Sequence, residues 1–232
     1  LNAATLAALT ALALTACGSD DNTGGTESSA PATGGATSAA ATSAAPQITG
    51  QFSGAGSSAQ KAAVEAWTAA FQGVNPGATI NYDAAGSGAG REQFLAGGIA
   101  WAGSDAAMSA DEITKSQQVC GPDGAIDIPV YISPIAVAFN LPGVTTLNLS
   151  PETVAKIFTG AITTWNDPAI AADNAGVTLP STTITPVHRS DKSGTTNNFT
   201  DYLNKAAPSV WTNAKTDAWP LQGGDSAQGT SG

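Results

Sequence analysis

Strand-like runs and helical runs alternate along this chain, and a glycine-rich polar turn stands at the junction each time. Residues 48–52 read as a short strand, Ser53-Gly54-Ala55-Gly56-Ser57-Ser58 as a turn, and 59–72 as a helix with Ala63, Trp67, Ala70 and Phe71 on one face. Ser57 and Gln60 form a plausible capping box at its start. A strand over 79–82 follows, then Asp83-Ala84-Ala85-Gly86-Ser87-Gly88-Ala89-Gly90 and a helix over 91–97. A third strand, 99–102, ends at Gly103-Ser104-Asp105, and Ser109 with Glu112 opens a helix over 110–118. Such alternation predicts an α/β fold with a mainly parallel sheet covered by helices. Ligands of such sheets sit at the carboxyl ends of the strands. The polar tips Ser57, Ser58, Ser87 and Asp105 all fall there.

Strands are also expected over 126–132 and 135–139, where a hinge between lobes could pass. A helix is expected over 151–159, with Ser150 as N-cap, Pro151 at its first position and Val154, Ile157 and Phe158 buried. Residues 163–168 read as a turn. The strand 183–187 leads into Arg189-Ser190-Asp191-Lys192-Ser193-Gly194-Thr195, with a helix over 196–205 and Thr195 as its N-cap. A helix start carries unpaired amides and partial positive charge, so it attracts an anion. Ser193 and Thr195 add hydroxyls, Gly194 lets the backbone approach closely, and Arg189, one of two arginines, supplies a planar fork of donors. Residues 223–232 read as a loop.

The 8 basic and 18 acidic residues give a net charge of -10, which argues against a nucleic-acid partner but not against a small anion in a closed site. Residues 1–16 are apolar, too short to span a membrane, and resemble the end of a signal peptide; Leu14-Thr15-Ala16-Cys17 resembles the lipobox of bacterial lipoproteins. Cys17 is then the lipidation site, anchoring an exported domain at the outer face of the cytoplasmic membrane. Residues 18–46 are almost wholly Gly, Ser, Thr, Ala, Pro and a few acids, a composition that reads as a disordered tether. Flexible-chain scaling gives that tether a span of roughly 30 Å. Cys120 could pair with a cysteine further along or remain a buried thiol.

Gly54, Gly56 and Ala59, followed by a helix and a strand ending at Asp83, imitate a dinucleotide fingerprint. The export segment and the second anion loop at 189–195 speak against that reading. A nucleotide P-loop is excluded because no Gly-Lys-Ser/Thr occurs.

Taken together, Gly54-Ala55-Gly56-Ser57-Ser58, Gly86-Ser87-Gly88, Gly103-Ser104-Asp105, the stretch from Leu149 to Asp167 and the loop 189–195 resemble the PstS family of phosphate-binding lipoproteins. The resemblance implies a type II periplasmic-binding-protein fold, two α/β lobes joined by a hinge with ligand in the cleft. Residues 47–132 would form lobe 1 and 133–232 lobe 2, with the family's final portion, which returns to lobe 1, missing. It implies phosphate contacts from Ser58, the Ala59 amide, Ser87, Asp105, Arg189, Ser193, Gly194 and Thr195, with Asp191 orienting Arg189. His188 receives no role and is expected as a flanking surface residue. The implied activity is phosphate capture and delivery to an ABC-type permease by a monomer, with no catalysis, cofactor or metal. Two alternatives are a secreted serine-dependent phosphatase, for which the single His would have to act as base, and a binder of another oxyanion.

Overall fold

In the first half β1 (Gly50–Gly56), β2 (Ala78–Asp83) and β3 (Trp101–Gly103) form a parallel sheet in the order β2-β1-β3. β2 carries β-branched and aromatic residues, whereas β1 and β3 are mostly small residues that let strands approach closely. The protein is described by a computed structural model over residues 47–230. The expected leader, Cys17 and the tether 18–46 lie outside the described residues. The register runs from Gly50 opposite Ala78 to Ala55 opposite Asp83, and Gly56 faces Gly103. Gly56 has φ +146°, and a Cβ there would lie 1.9 Å from the Gly103 carbonyl oxygen, so only glycine allows β1 and β3 to meet so closely.

α1 (Lys61–Val74), α2 (Ser87–Leu95) and α3 (Ala110–Cys120) connect and flank these strands. The Ser109–Glu112 capping box is present at α3 as read from sequence. The Ser57–Gln60 box at α1 is absent: Gln60 is the N-cap, and the Ser57 hydroxyl is taken by Asp105 instead. The expected α1 stripe also differs. Val64 is the buried residue, whereas Trp67 is 45% exposed and packs edge-on against Tyr131.

Residues 126–132 and 135–139 form no strand, although their composition suggests two. Ile126, Val130, Ile132 and Val137 are exposed, and no neighbouring strand among the described residues offers them a ladder. β-propensity expresses fit to a pleated, half-buried surface, so without a partner strand it has nothing to act on.

The second half is built around two helices. α4 (Pro151–Phe158) starts at Ser150, whose hydroxyl accepts from the Thr153 amide, with Pro151 in the first turn. α6 (Gly194–Ala206) packs against it, and Val154, Ala155, Leu203, Ala207 and Trp211 form their shared core. A second cluster joins Ile157, Ile162, Ile170 and Ile184. α5 (Pro168–Asp173), capped by Asp167, begins at the last residue of the expected turn 163–168 and continues beyond it, where no element is expected. The regular strand after residue 183 is β4 (Val187–Arg189), shorter and later than expected, while Thr183 makes only an isolated bridge to Thr164. β4 pairs in parallel with β5 (Asp225–Ala227), a strand inside the segment that reads as loop.

Candidate functional site

The tips of β1 and β3 meet the N-termini of α2 and α6. Gly194, the first residue of α6, is pressed against the other side: a Cβ there would lie 2.7 Å from the Ser87 hydroxyl and 2.8 Å from the Asp105 Cβ. Gly86, the N-cap of α2, is pressed against Asp191 in the same way, with its missing Cβ 2.5 Å from a carboxylate oxygen. Two positive helix ends thus face each other, a costly arrangement unless negative charge stands between or beside them. Asp105 and Asp191 supply carboxylates at this junction.

Asp105 is held by both serine loops. Ser57 Oγ donates to its Oδ1 at 2.6 Å, and Ser87 Oγ donates to its Oδ2 at 3.2 Å. Asn198, on α6, donates to its backbone carbonyl at 2.8 Å. Ser57, Ser87 and Ser193 are fully buried. Ser58 is 9% exposed, and its hydroxyl has no partner among the described residues. A buried hydroxyl left unpaired costs stability, which marks the position as one built for something more. Ala59 is exposed beside it.

Across the junction, Arg189 and Asp191 form a two-pronged pair: Nε donates to Oδ1 at 2.6 Å and a terminal nitrogen donates to Oδ2. Burial pushes the Asp191 carboxyl up, but the hydrogen bonds from Arg189 and the Gly229 amide, with the Arg189 charge, outweigh it and hold it below the usual carboxylate range. Asp191 thus engages two nitrogens of the Arg189 guanidinium at once. The α6 cap differs from expectation: Ser193, not Thr195, is the N-cap, and its hydroxyl accepts from the Thr195 and Thr196 amides. Accepting leaves the hydroxyl's own proton available to donate.

The structure brings Ser87, Asp105 and Gly194 into contact and sets Arg189 and Asp191 beside Gly86, while Ser193 caps α6. Ser58 joins through Gly229, whose amide donates to Asp191, and Ala59 and Thr195 are the chain neighbours of Ser58 and Gly194. Sequence reading missed several supporting residues. Arg91 is buried and bridges Glu112 and Asp217, each at 2.9 Å. Asn198 and Asp217 stand on polar stretches with no distinguishing motif. His188 is not a plain surface residue: it is partly buried, stacks on Trp219 with ring centres 4.7 Å apart, and its Nδ1 engages the Arg189 carbonyl at 2.9 Å. Cys120 is exposed rather than buried.

The arrangement offers donors suited to a small tetrahedral anion. The imidazole is committed to backbone and Trp219 rather than to a serine hydroxyl. Among the described residues no group of three or more His, Cys, Asp or Glu could hold a metal ion. A cavity of about 870 Å³ reaches Asp105, lined by Trp67, Phe94, Trp101 and Tyr131 together with the polar Gln60, Arg91, Ser104 and Asp127.

Comparison with known proteins gives this geometry its context. A protein named phosphate-binding protein PstS 2, from Mycobacterium tuberculosis, is 40% identical over 232 residues, 99% of this chain and 60% of its own length. Phosphate-binding protein PstS3 from Mycobacterium bovis is 42% identical over 223 residues, 96% of this chain and 58% of its own. The chain thus spans about three fifths of these relatives' length. A solved structure from Clostridium perfringens, described as a phosphate ABC transporter substrate-binding protein with bound phosphate, superposes with a TM-score of 0.53. At 18% identity, over 78% of this chain and 63% of that one, it shows a shared fold. Residues 36–232 match the family described as "PBP superfamily domain", a span that contains every described element, and the chain belongs to that superfamily.

Proposed function

We propose that this chain captures inorganic phosphate outside the cytoplasm and delivers it to an ABC-type import permease, without catalysis. The observation that carries this reading is the pair of facing helix N-termini, lined by buried serine hydroxyls, one of them unpartnered, around a carboxylate. The names of the relatives point the same way.

In this reading residues 47–132 are one lobe and 133–232 the other. Ser58, the Ala59 amide, Ser87 and Asp105 contact phosphate from the first. Arg189, Ser193, Gly194 and Thr195 contact it from the second, with Asp191 steadying Arg189. Because the anion touches both lobes, it favours the closed form, and closure is the signal a permease can read. Asp105 sets selectivity. Phosphate at neutral pH keeps an O–H that can donate to the carboxylate; sulfate has none and meets an unpaired charge.

The protein acts as a monomer, tethered by residues 18–46 to a lipid on Cys17. Calorimetric titration of the chain with phosphate and with sulfate tests the binding reading. Tight phosphate binding with sulfate excluded is the expected result; equal affinity, or none for phosphate, defeats it. Fatty-acid labelling in a bacterial host, abolished by Cys17→Ala, tests the anchor.

A further inference from the structure

Ser57 lies beside the residues assigned to the anion yet cannot serve as they do. It is 1% exposed, and its hydroxyl proton is committed to Asp105 Oδ1 at 2.6 Å, a short, charge-assisted distance. Its backbone is pinned from several sides. The Ser57 amide donates to the Gly103 carbonyl at 2.8 Å, and its carbonyl accepts from the Tyr82 phenol at 2.8 Å and from the Gln60 amide at 3.3 Å. Burial, together with the charge of Asp105, pushes the Tyr82 phenol up, so it stays protonated and keeps donating. Ser57 therefore presents its hydroxyl from a fixed place.

Asp105 needs such a partner. Its carbonyl is held by Asn198, and its Cβ is hemmed in where Gly194 approaches. The rotation of the carboxylate plane is still soft, because the terminal torsion of an aspartate is broad. Ser87 cannot fix it firmly. Its contact is 3.2 Å, and its oxygen also accepts from the Asp105 amide at 3.3 Å, so its proton can turn toward a ligand.

We infer that Ser57 is a specificity-determining positioning residue: it locks Asp105 Oδ1 and thereby leaves Oδ2 as the acceptor that a ligand's proton must satisfy. The inference rests on the proposed anion reading of this site. Without the Ser57 hydroxyl the carboxylate can rotate away from the anion. Phosphate then loses a well-aimed acceptor, and sulfate no longer faces an unavoidable negative oxygen. The two changes act in opposite directions on the two anions, which a general loss of folding cannot do.

The test compares the unmodified chain with Ser57→Ala, Ser57→Cys and Ser57→Thr by calorimetry with inorganic phosphate and sulfate, alongside thermal melting. The preference for phosphate over sulfate should fall about tenfold in Ser57→Ala, the order set by one hydrogen bond to a charged group. Ser57→Cys, nearly isosteric with a feeble donor, should behave alike and serves if the alanine variant folds poorly. Ser57→Thr, which keeps the hydroxyl, should recover most of the preference. A preference unchanged within about twofold in the alanine and cysteine variants, or equal losses for both anions, overturns the inference while leaving the phosphate reading in place. An unmodified chain that shows no preference for phosphate overturns both.

Discussion

A carboxylate turned toward an anion weakens binding unless the anion brings a proton, so Asp105 offers a sharp experiment. Asp105→Asn removes the charge and keeps the shape. The phosphate-to-sulfate affinity ratio should fall by at least about a hundredfold, a conservative share of what donor-reading sites achieve, with sulfate gaining as phosphate loses. Competitive titration would show it, and an unaltered ratio would defeat the selectivity argument. Arg189→Lys makes the complementary point. The ammonium keeps the charge but loses the fork that engages both Asp191 oxygens. Phosphate affinity should drop about tenfold or more, consistent with the loss of one or more hydrogen bonds to charge.

At the scale of elements, the caps and the packed helix faces separate stability from binding. Ser109→Ala disrupts the α3 capping box, which lies in exposed surroundings. It should lower unfolding free energy by about 1 kcal/mol in urea titration and leave phosphate affinity alone. Leu203→Ala empties a fully buried position between α4 and α6. Its cost should be about 2–5 kcal/mol, with the α6 N-terminus loosened as well. Elements with local signals were legible in the sequence: the Ser150-Pro151 start of α4, the Ser109–Glu112 box, and the glycine-rich turns that deliver Ser87 and Asp105. Elements whose formation depends on distant partners were not. β5 exists because Val187–Arg189 lies beside it, the 126–139 run has no strand to pair with among the described residues, and Ser57 prefers the Asp105 carboxylate to capping α1. The site residues were read through family resemblance and loop chemistry, whereas Arg91, Asn198 and Asp217 carry no local pattern and emerge only from long-range geometry.

Across the whole molecule, residues far apart in sequence are stitched together around the junction. Arg91 reaches Asp217, Lys192 reaches Glu92, Asn198 reaches the Asp105 carbonyl, and the Thr230 hydroxyl reaches the Ser58 carbonyl. Asp217→Asn should cost about 1–3 kcal/mol, since it strips a charged partner from a buried guanidinium that still holds Glu112. The carboxylates fix the pH response. For Glu112, burial raises the pKa, but hydrogen bonds from Arg91 and Ser109 overcome it, and Asp191 is likewise lowered. A folded value below the unfolded one means stability that is present above about pH 4, the unfolded carboxylate range. That stability fades as pH falls further through the lowered values. Thermal melts from pH 7 to pH 3 should therefore be flat at first and then decline, and Asp191→Asn should flatten the decline.

The aromatic cluster beside His188 has a practical consequence. Trp219 lies against His188 on one side and neighbours Trp211, Phe158 and Phe199. An indole one residue's reach from the arginine loop is a built-in optical gauge. Any occupant that shifts that loop changes the surroundings of Trp219, so ligand uptake should be readable in intrinsic emission without attaching a dye.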